Sequence, residues 1–243
     1  MRLANRTAVV TGGGSGIGAA IAYAFAAEGA QVLIAGRGEA RLRDAAAKST
    51  GPHPLRTCVA DVASRADIER LFEVANRELG RVDILVNSAG INVPRRALAD
   101  LSPEDWQKII DVNATGTFLC FRAVLPQMRE RRDGLIINIS SVAGIRASIL
   151  GGAAYTASKF AASGFGLLAG LEEKDHGIRV TNIYPGEVET PILDQRPVPV
   201  TAEHRARILQ PEDVAAAALL VATLPPRAHI PELTIKPTTQ AFA

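Results

Sequence analysis

A chain of 243 residues, 47% of them apolar, is long enough for one large α/β domain and apolar enough to bury a full core. Its formal net charge of +2, with no run of Lys or Arg on a recognisable face, argues against nucleic-acid binding. The only two cysteines, Cys58 and Cys120, stand far apart, the pattern of reduced core thiols in a cytoplasmic protein.

The chain enters a strand at once, over 7–11, so no signal peptide is expected. A glycine-rich turn and a helix to 28 follow, then strands over 31–35 and 55–60. A helix over about 64–79 stops at Gly80 and gives way to a strand over 82–87. Ser102 as N-cap, Pro103 at the first helical position and Asp105 three residues on open a long helix reaching 131. After Gly134 come a strand over 135–140, a helix over 154–174 and a strand over 178–184. A helix over about 211–224, stopped by Pro225-Pro226, and a strand near 233–235 close the chain. The apolar stretch 214–224 is about half the length a bilayer requires, so no membrane role is expected. Strands alternating with helices predict an α/β fold: one doubly wound parallel sheet of about seven strands, Rossmann-type, with helices on both faces. No linker divides residues 1–243, and the Pro-rich segment within 190–210 is either a surface loop or a lid over a substrate.

Two constellations carry chemistry. The first is Thr11-Gly12-Gly13-Gly14-Ser15-Gly16-Ile17-Gly18, placed after the first strand and opening a helix. Glycines there let a pyrophosphate approach the backbone, and the helix N-terminus supplies free N–H groups and a positive dipole end. A dinucleotide site of this kind places Asp or Glu at the end of strand two to hold a ribose 2′-hydroxyl. Here the sequence reads Ile34-Ala35-Gly36-Arg37, with Arg41 one helical turn on. The acidic position is vacant and a cation follows, which favours a 2′-phosphate and hence NADP(H) over NAD. The second constellation is Tyr155-Thr156-Ala157-Ser158-Lys159, a phenol and an ammonium one helical turn apart. Free Tyr and Lys titrate near 10, so a cation held beside Tyr155 is expected to lower the phenol toward neutrality.

Together these motifs resemble the short-chain dehydrogenase/reductase family, and the resemblance runs over nearly the whole chain. Gly12, Ser15, Gly16, Ile17 and Gly18 match its cofactor turn; Asp61 and Val62 match its adenine-contacting pair. Asn87-Ser88-Ala89-Gly90 matches N-N-A-G with Ser in place of the second Asn. Pro185 and Gly186, with Val188 and Thr190, match the segment along the nicotinamide carboxamide. Asn113, in Asp111-Val112-Asn113-Ala114-Thr115-Gly116, falls where the family's active-site Asn bends its helix. Ser140 and Ser141 both end strand five; alignment of Ser141-Val142-Ala143-Gly144 selects Ser141, 14 positions before Tyr155, as the catalytic serine.

The resemblance implies hydride transfer with Tyr155 as proton donor or acceptor and Ser141 bonded to the substrate oxygen. It further implies Lys159 on the nicotinamide ribose as well as beside Tyr155, and Asn113 holding a relay water. No metal is expected, because His53, His176, His204 and His229 show no ligand spacing. The tail from Pro225 to Thr238 resembles the NADP-linked subgroup that includes 3-hydroxy acid and serine dehydrogenases. The expected protein is therefore an NADP(H)-dependent enzyme acting on a small alcohol or carbonyl compound, 3-hydroxy acids among the candidates. It is expected to pair as a homodimer or homotetramer through the helices over 102–131 and 154–174. The alternatives are an NAD-linked polyol or hydroxysteroid dehydrogenase and a non-catalytic sensor of NADP(H).

Overall fold

Seven short strands alternate with helices along the chain in a computed structural model that describes residues 1–241. The strands are β1 (Thr7–Thr11), β2 (Gln31–Gly36), β3 (Arg56–Val59), β4 (Ile84–Asn87), β5 (Gly134–Ile139), β6 (Ile178–Pro185) and β7 (Glu232–Ile235). They form one sheet in the order β3-β2-β1-β4-β5-β6-β7, and every neighbouring pair is parallel. The doubly wound parallel sheet expected from the sequence is the one the chain builds. β1, β4 and β5 are buried along their whole length, as strands covered on both faces must be.

The helices are α1 (Gly16–Ala27), α2 (Glu39–Ala47), α3 (Arg65–Leu79), α4 (Pro103–Ile110), α5 (Gly116–Arg131), α6 (Ala153–Glu173), α7 (Ala202–Arg207) and α8 (Pro211–Thr223). Alternation along each strand divides the core between the two faces of the sheet. On β1, Ala8 and Val10 cluster with Ile21 and Phe25 of α1 and Val214 and Val221 of α8. Val9 belongs to the opposite cluster, with Leu71 and Phe72 of α3 and Phe121 and Val124 of α5.

From β1 the chain winds outward to β2 and β3, then returns to place β4 on the other side of β1. The crevice outside the carboxyl ends of β1 and β4 is where a sheet of this topology receives its ligand. Thr11 ties the two loops there together, its Oγ1 accepting from the amides of Ser88 (3.2 Å) and Ala89 (3.3 Å).

Some elements differ from expectation. α2 and α7 lie on stretches without an apolar stripe: α2 buries only Leu42 and Ala45, and α7 buries nothing. A π-helical turn, Asp111–Thr115, interrupts the long helix between α4 and α5. The run Pro103–Arg131, not 214–224, is the helical segment long and apolar enough by composition to cross a membrane. It is a core helix of this domain, with Ile109, Phe121, Val124 and Met128 fully buried against the sheet and its neighbours. Cys58 and Cys120 are both free and buried, and burial pushes the Cys120 thiol up to about 12.

Candidate active site

The loops at the carboxyl ends of β1, β2, β4, β5 and β6 surround a cavity of about 750 Å³. Its floor is the glycine turn. Gly12 has φ +67°, and a Cβ there would lie 2.8 Å from the Ala89 nitrogen; a Cβ on Gly18 would collide with the Gly12 carbonyl oxygen. Those two glycines let the turn and the 88–90 loop pack together. Gly14 faces the cavity with no neighbour nearer than 3.5 Å, which leaves its surface open to a ligand. Ser15 makes no side-chain cap bond, and the first turn of α1 holds no acidic residue. The first turn of α1 lines the cavity, and its N–H groups have no intrahelical partner, the donor set that a pyrophosphate needs.

At the end of β2, a Cβ on Gly36 would meet nothing nearer than Leu42 at 3.7 Å. Arg37 and Arg41 line this end of the cavity, both exposed, and among the described residues neither forms an ion pair, whereas Arg43 pairs with Glu39 at 3.5 Å. Ser15, Gly16, Ile17, Asp61, Val62, Ala89, Gly90, Pro185, Gly186, Val188 and Thr190 all lie on the wall as well. The adenine and ribose end and the pyrophosphate end of a dinucleotide thus both meet residues chemically suited to them.

The other end holds the titrating groups. Ser140 turns toward α6, where its Oγ bonds Ser163 Oγ (2.8 Å) and the Lys159 carbonyl (3.3 Å). Ser141 is the serine whose hydroxyl acts on the Tyr155 phenol, and its Oγ accepts from the Ala143 amide at 3.1 Å. Lys159 Nζ lies 5.7 Å from the centre of the Tyr155 ring and donates to the Ile139 carbonyl at 2.8 Å. Burial pulls the Lys159 ammonium down to about 8. Burial also pushes the Tyr155 phenol above its ordinary value, against the Ser141 hydroxyl and the charge of Arg96. Desolvation is the largest of these influences, so the phenol is not held below its ordinary value here.

Two residues expected in the site do not reach the cavity wall. Asn113, 1% exposed within the π-helical turn, accepts from the Ile91 amide (2.8 Å) through Oδ1. Its Nδ2 donates to the Ile91 carbonyl (3.0 Å) and to Ser158 Oγ (3.0 Å). Both hydrogens of that amide group are used, and the Asn113 side chain pins the Gly90-Ile91 loop to α6. Asn87 begins a ladder across three strands: its Nδ2 donates to Asn138 Oδ1 (2.9 Å), and Asn138 Nδ2 donates to Asn182 Oδ1 (3.1 Å). The Asn87 Oδ1 is buried without a partner.

The sequence matches the family model of the short chain dehydrogenases over residues 6–198. The chain belongs to the short-chain dehydrogenase family. An uncharacterized oxidoreductase of Staphylococcus saprophyticus is 36% identical to it over 241 residues, 98% of this chain and 99% of that protein. The closed form of a serine dehydrogenase complexed with NADP+ superposes with a TM-score of 0.89 at 34% identity, covering 98% of this chain and 97% of that one. A 3-ketoacyl-(acyl-carrier-protein) reductase from Brucella melitensis complexed with NADH superposes with a TM-score of 0.88 at 29% identity, covering 96% and 98%. As a short-chain dehydrogenase the chain is an oxidoreductase acting on CH–OH groups.

The short-chain dehydrogenase site also contains residues that motif reading does not reach. Asn92, Arg96, Ser148, Glu187, Gln195 and Arg196 line the cavity from loops whose shape is set by tertiary packing. Gln240, from the tail, closes over Gly186 and accepts from the Glu187 amide at 3.0 Å. Their only sequence signal is position, in the segments 92–98, 145–152 and 187–209 between the motif-bearing elements.

Proposed function

We propose that this short-chain dehydrogenase interconverts a small alcohol and its carbonyl compound with NADP(H), 3-hydroxy acids being among its substrates. One observation carries the reading: a single cavity holds Arg37 at one end and Ser141, Tyr155 and Lys159 at the other. When bound, the nicotinamide ring supplies or accepts the hydride at the substrate carbon. Tyr155, as the phenol, donates its proton to the substrate oxygen in reduction and, as the phenolate, takes the proton from the alcohol in oxidation. Ser141 donates a hydrogen bond to the same oxygen and fixes its position. Lys159, still charged at neutral pH, orients the nicotinamide ribose and makes the phenolate less costly during turnover.

Cofactor choice rests on Arg37. An unpaired guanidinium beside an open glycine position suits a 2′-phosphate, which an acidic residue there would repel. The Brucella reductase with NADH favours the NAD-linked alternative. Comparing kcat/KM for NADPH and NADH decides between them. The wild type should prefer NADPH, and Arg37→Ala should lower NADPH efficiency roughly tenfold to a hundredfold while sparing NADH. A wild type that prefers NADH would overturn the assignment.

The 190–210 segment serves as a lid. Arg196 pairs with Glu187 at 3.0 Å, and Arg205 bridges Glu189 (2.6 Å) and Asp194 (2.7 Å), so the segment holds together over the cavity. Two copies pair through α5 and α6. On α6, Phe160, Leu167, Leu168 and Leu171 are exposed at helical spacing, and Phe118 of α5 is exposed beside them, edge-on to Phe165 at 5.6 Å.

A further inference from the structure

Arg96 is 8% exposed and stands on the wall of the catalytic cavity. A guanidinium stays charged at any working pH, and a buried charge is costly unless something compensates it. The fold offers three carbonyls. Arg96 Nε donates to Val93 O (2.8 Å), Nη1 to Leu150 O (3.2 Å), and Nη2 to Gln195 O. These bonds staple three loops together, but carbonyls carry no negative charge. Among the described residues Arg96 has no ion-pair partner, whereas Arg196, the other arginine at this end, is paired with Glu187 at 3.0 Å. Of the five N–H groups of a guanidinium, two remain, one on each terminal nitrogen.

Placement gives this charge its meaning. The Arg96 carbonyl accepts from the amide of Ala153, the first residue of α6, two positions before Tyr155. Gly152, at φ +76°, permits the contact, since a Cβ there would lie 2.7 Å from the Arg96 Cβ. The charge of Arg96 acts directly on the Tyr155 phenol, and the charge of Arg196 is close enough to act on Arg96. Loop stapling explains the three bonds. It does not explain a cation left without a counter-ion beside the reacting groups.

We propose that Arg96 anchors a carboxylate of the substrate, so that a hydroxy acid binds with its hydroxyl at Ser141 and Tyr155 and its carboxylate at Arg96. This rests on the dehydrogenase reading above and narrows its substrate class to organic anions. A planar guanidinium with one free N–H on each terminal nitrogen is matched to a carboxylate by both charge and geometry.

The test uses the protein loaded with NADP+ and compares 3-hydroxypropanoate and 3-hydroxybutanoate with their methyl esters. Wild type should favour the acids. Arg96→Met should lose roughly tenfold to a hundredfold more in kcat/KM on the acids than on the esters, the excess mostly through KM. Arg96→Lys should recover part of the acid preference. A parallel fall on acids and esters would assign Arg96 to loop stapling alone and overturn the anchor. Turnover of esters but not acids by the wild type would overturn the anchor and leave the dehydrogenase reading standing. A second measurement does not depend on turnover: calorimetry of butanoate, which lacks a reacting hydroxyl, on the loaded protein. Binding to wild type and not to Arg96→Met supports the anchor, even if none of the panel is turned over and the substrate reading fails. Equal binding, or none to the wild type, overturns it.

Discussion

At 6% exposure the Lys159 ammonium occupies a position where burial pulls it from 10.5 to about 8. A lysine lowered on folding destabilises the folded state wherever the unfolded chain would be protonated and the folded one resists it. The penalty is full below pH 8, shrinks between pH 8 and 10.5, and is gone above that. Its size is on the order of 3 kcal/mol, offset in part by the bond to the Ile139 carbonyl. Lys159→Met should therefore melt above the wild type at pH 7 while losing activity, and the gap should close by about pH 10.5. A variant that melts below the wild type at pH 7 would mean that the bond to Ile139 outweighs the buried charge. Tyr155 shows the same force acting on an acid. Burial raises the phenol, which keeps the proton available for reduction and makes the phenolate depend on positive charge nearby.

Among the elements, the turn between β1 and α1 is the one that tolerates least. A Cβ on Gly18 would strike the Gly12 carbonyl, and this backbone contact has no flexible side chain to yield. Gly18→Ala should displace the start of α1 and weaken NADPH binding by about tenfold or more, with the circular dichroism of the sheet and helices unchanged. Unaltered NADPH affinity would show that the turn does not hold the pyrophosphate. That turn was readable because glycine spacing reports a backbone constraint directly. The strands were readable too, since apolar runs rich in β-branched residues, such as Leu135-Ile136-Ile137, have little alternative to a buried sheet. α2 was not, because two buried residues in nine leave no periodic stripe. The helix bend at Asn113 followed from family resemblance, but the use of its side chain did not, since Ile91 and Ser158 reach it only through folding. Arg96 was invisible for the same reason. A loop arginine next to another arginine says nothing of burial until three carbonyls converge on one of them.

Across the whole molecule, strand order decides where chemistry happens. The reversal between β1 and β4 gathers the glycine turn, the Asn87-Ser88-Ala89-Gly90 loop and the 140–144 corner at one edge of the sheet. The exposed Phe160, Leu168 and Leu171 lie on α6, the helix that also carries Tyr155 and Lys159. Pairing through that helix would brace the catalytic residues from behind. Leu168→Glu should convert the pair to monomers in sedimentation experiments, and a wild type that sediments as a monomer at micromolar concentration would contradict the pairing. The central claim is that Tyr155 moves the proton that accompanies hydride transfer. Its most direct test is single-turnover NADPH oxidation with a reactive carbonyl substrate, comparing wild type with Tyr155→Phe. The account predicts a rate lower by about a thousandfold or more with NADPH affinity kept within a few-fold; an undiminished rate would contradict it.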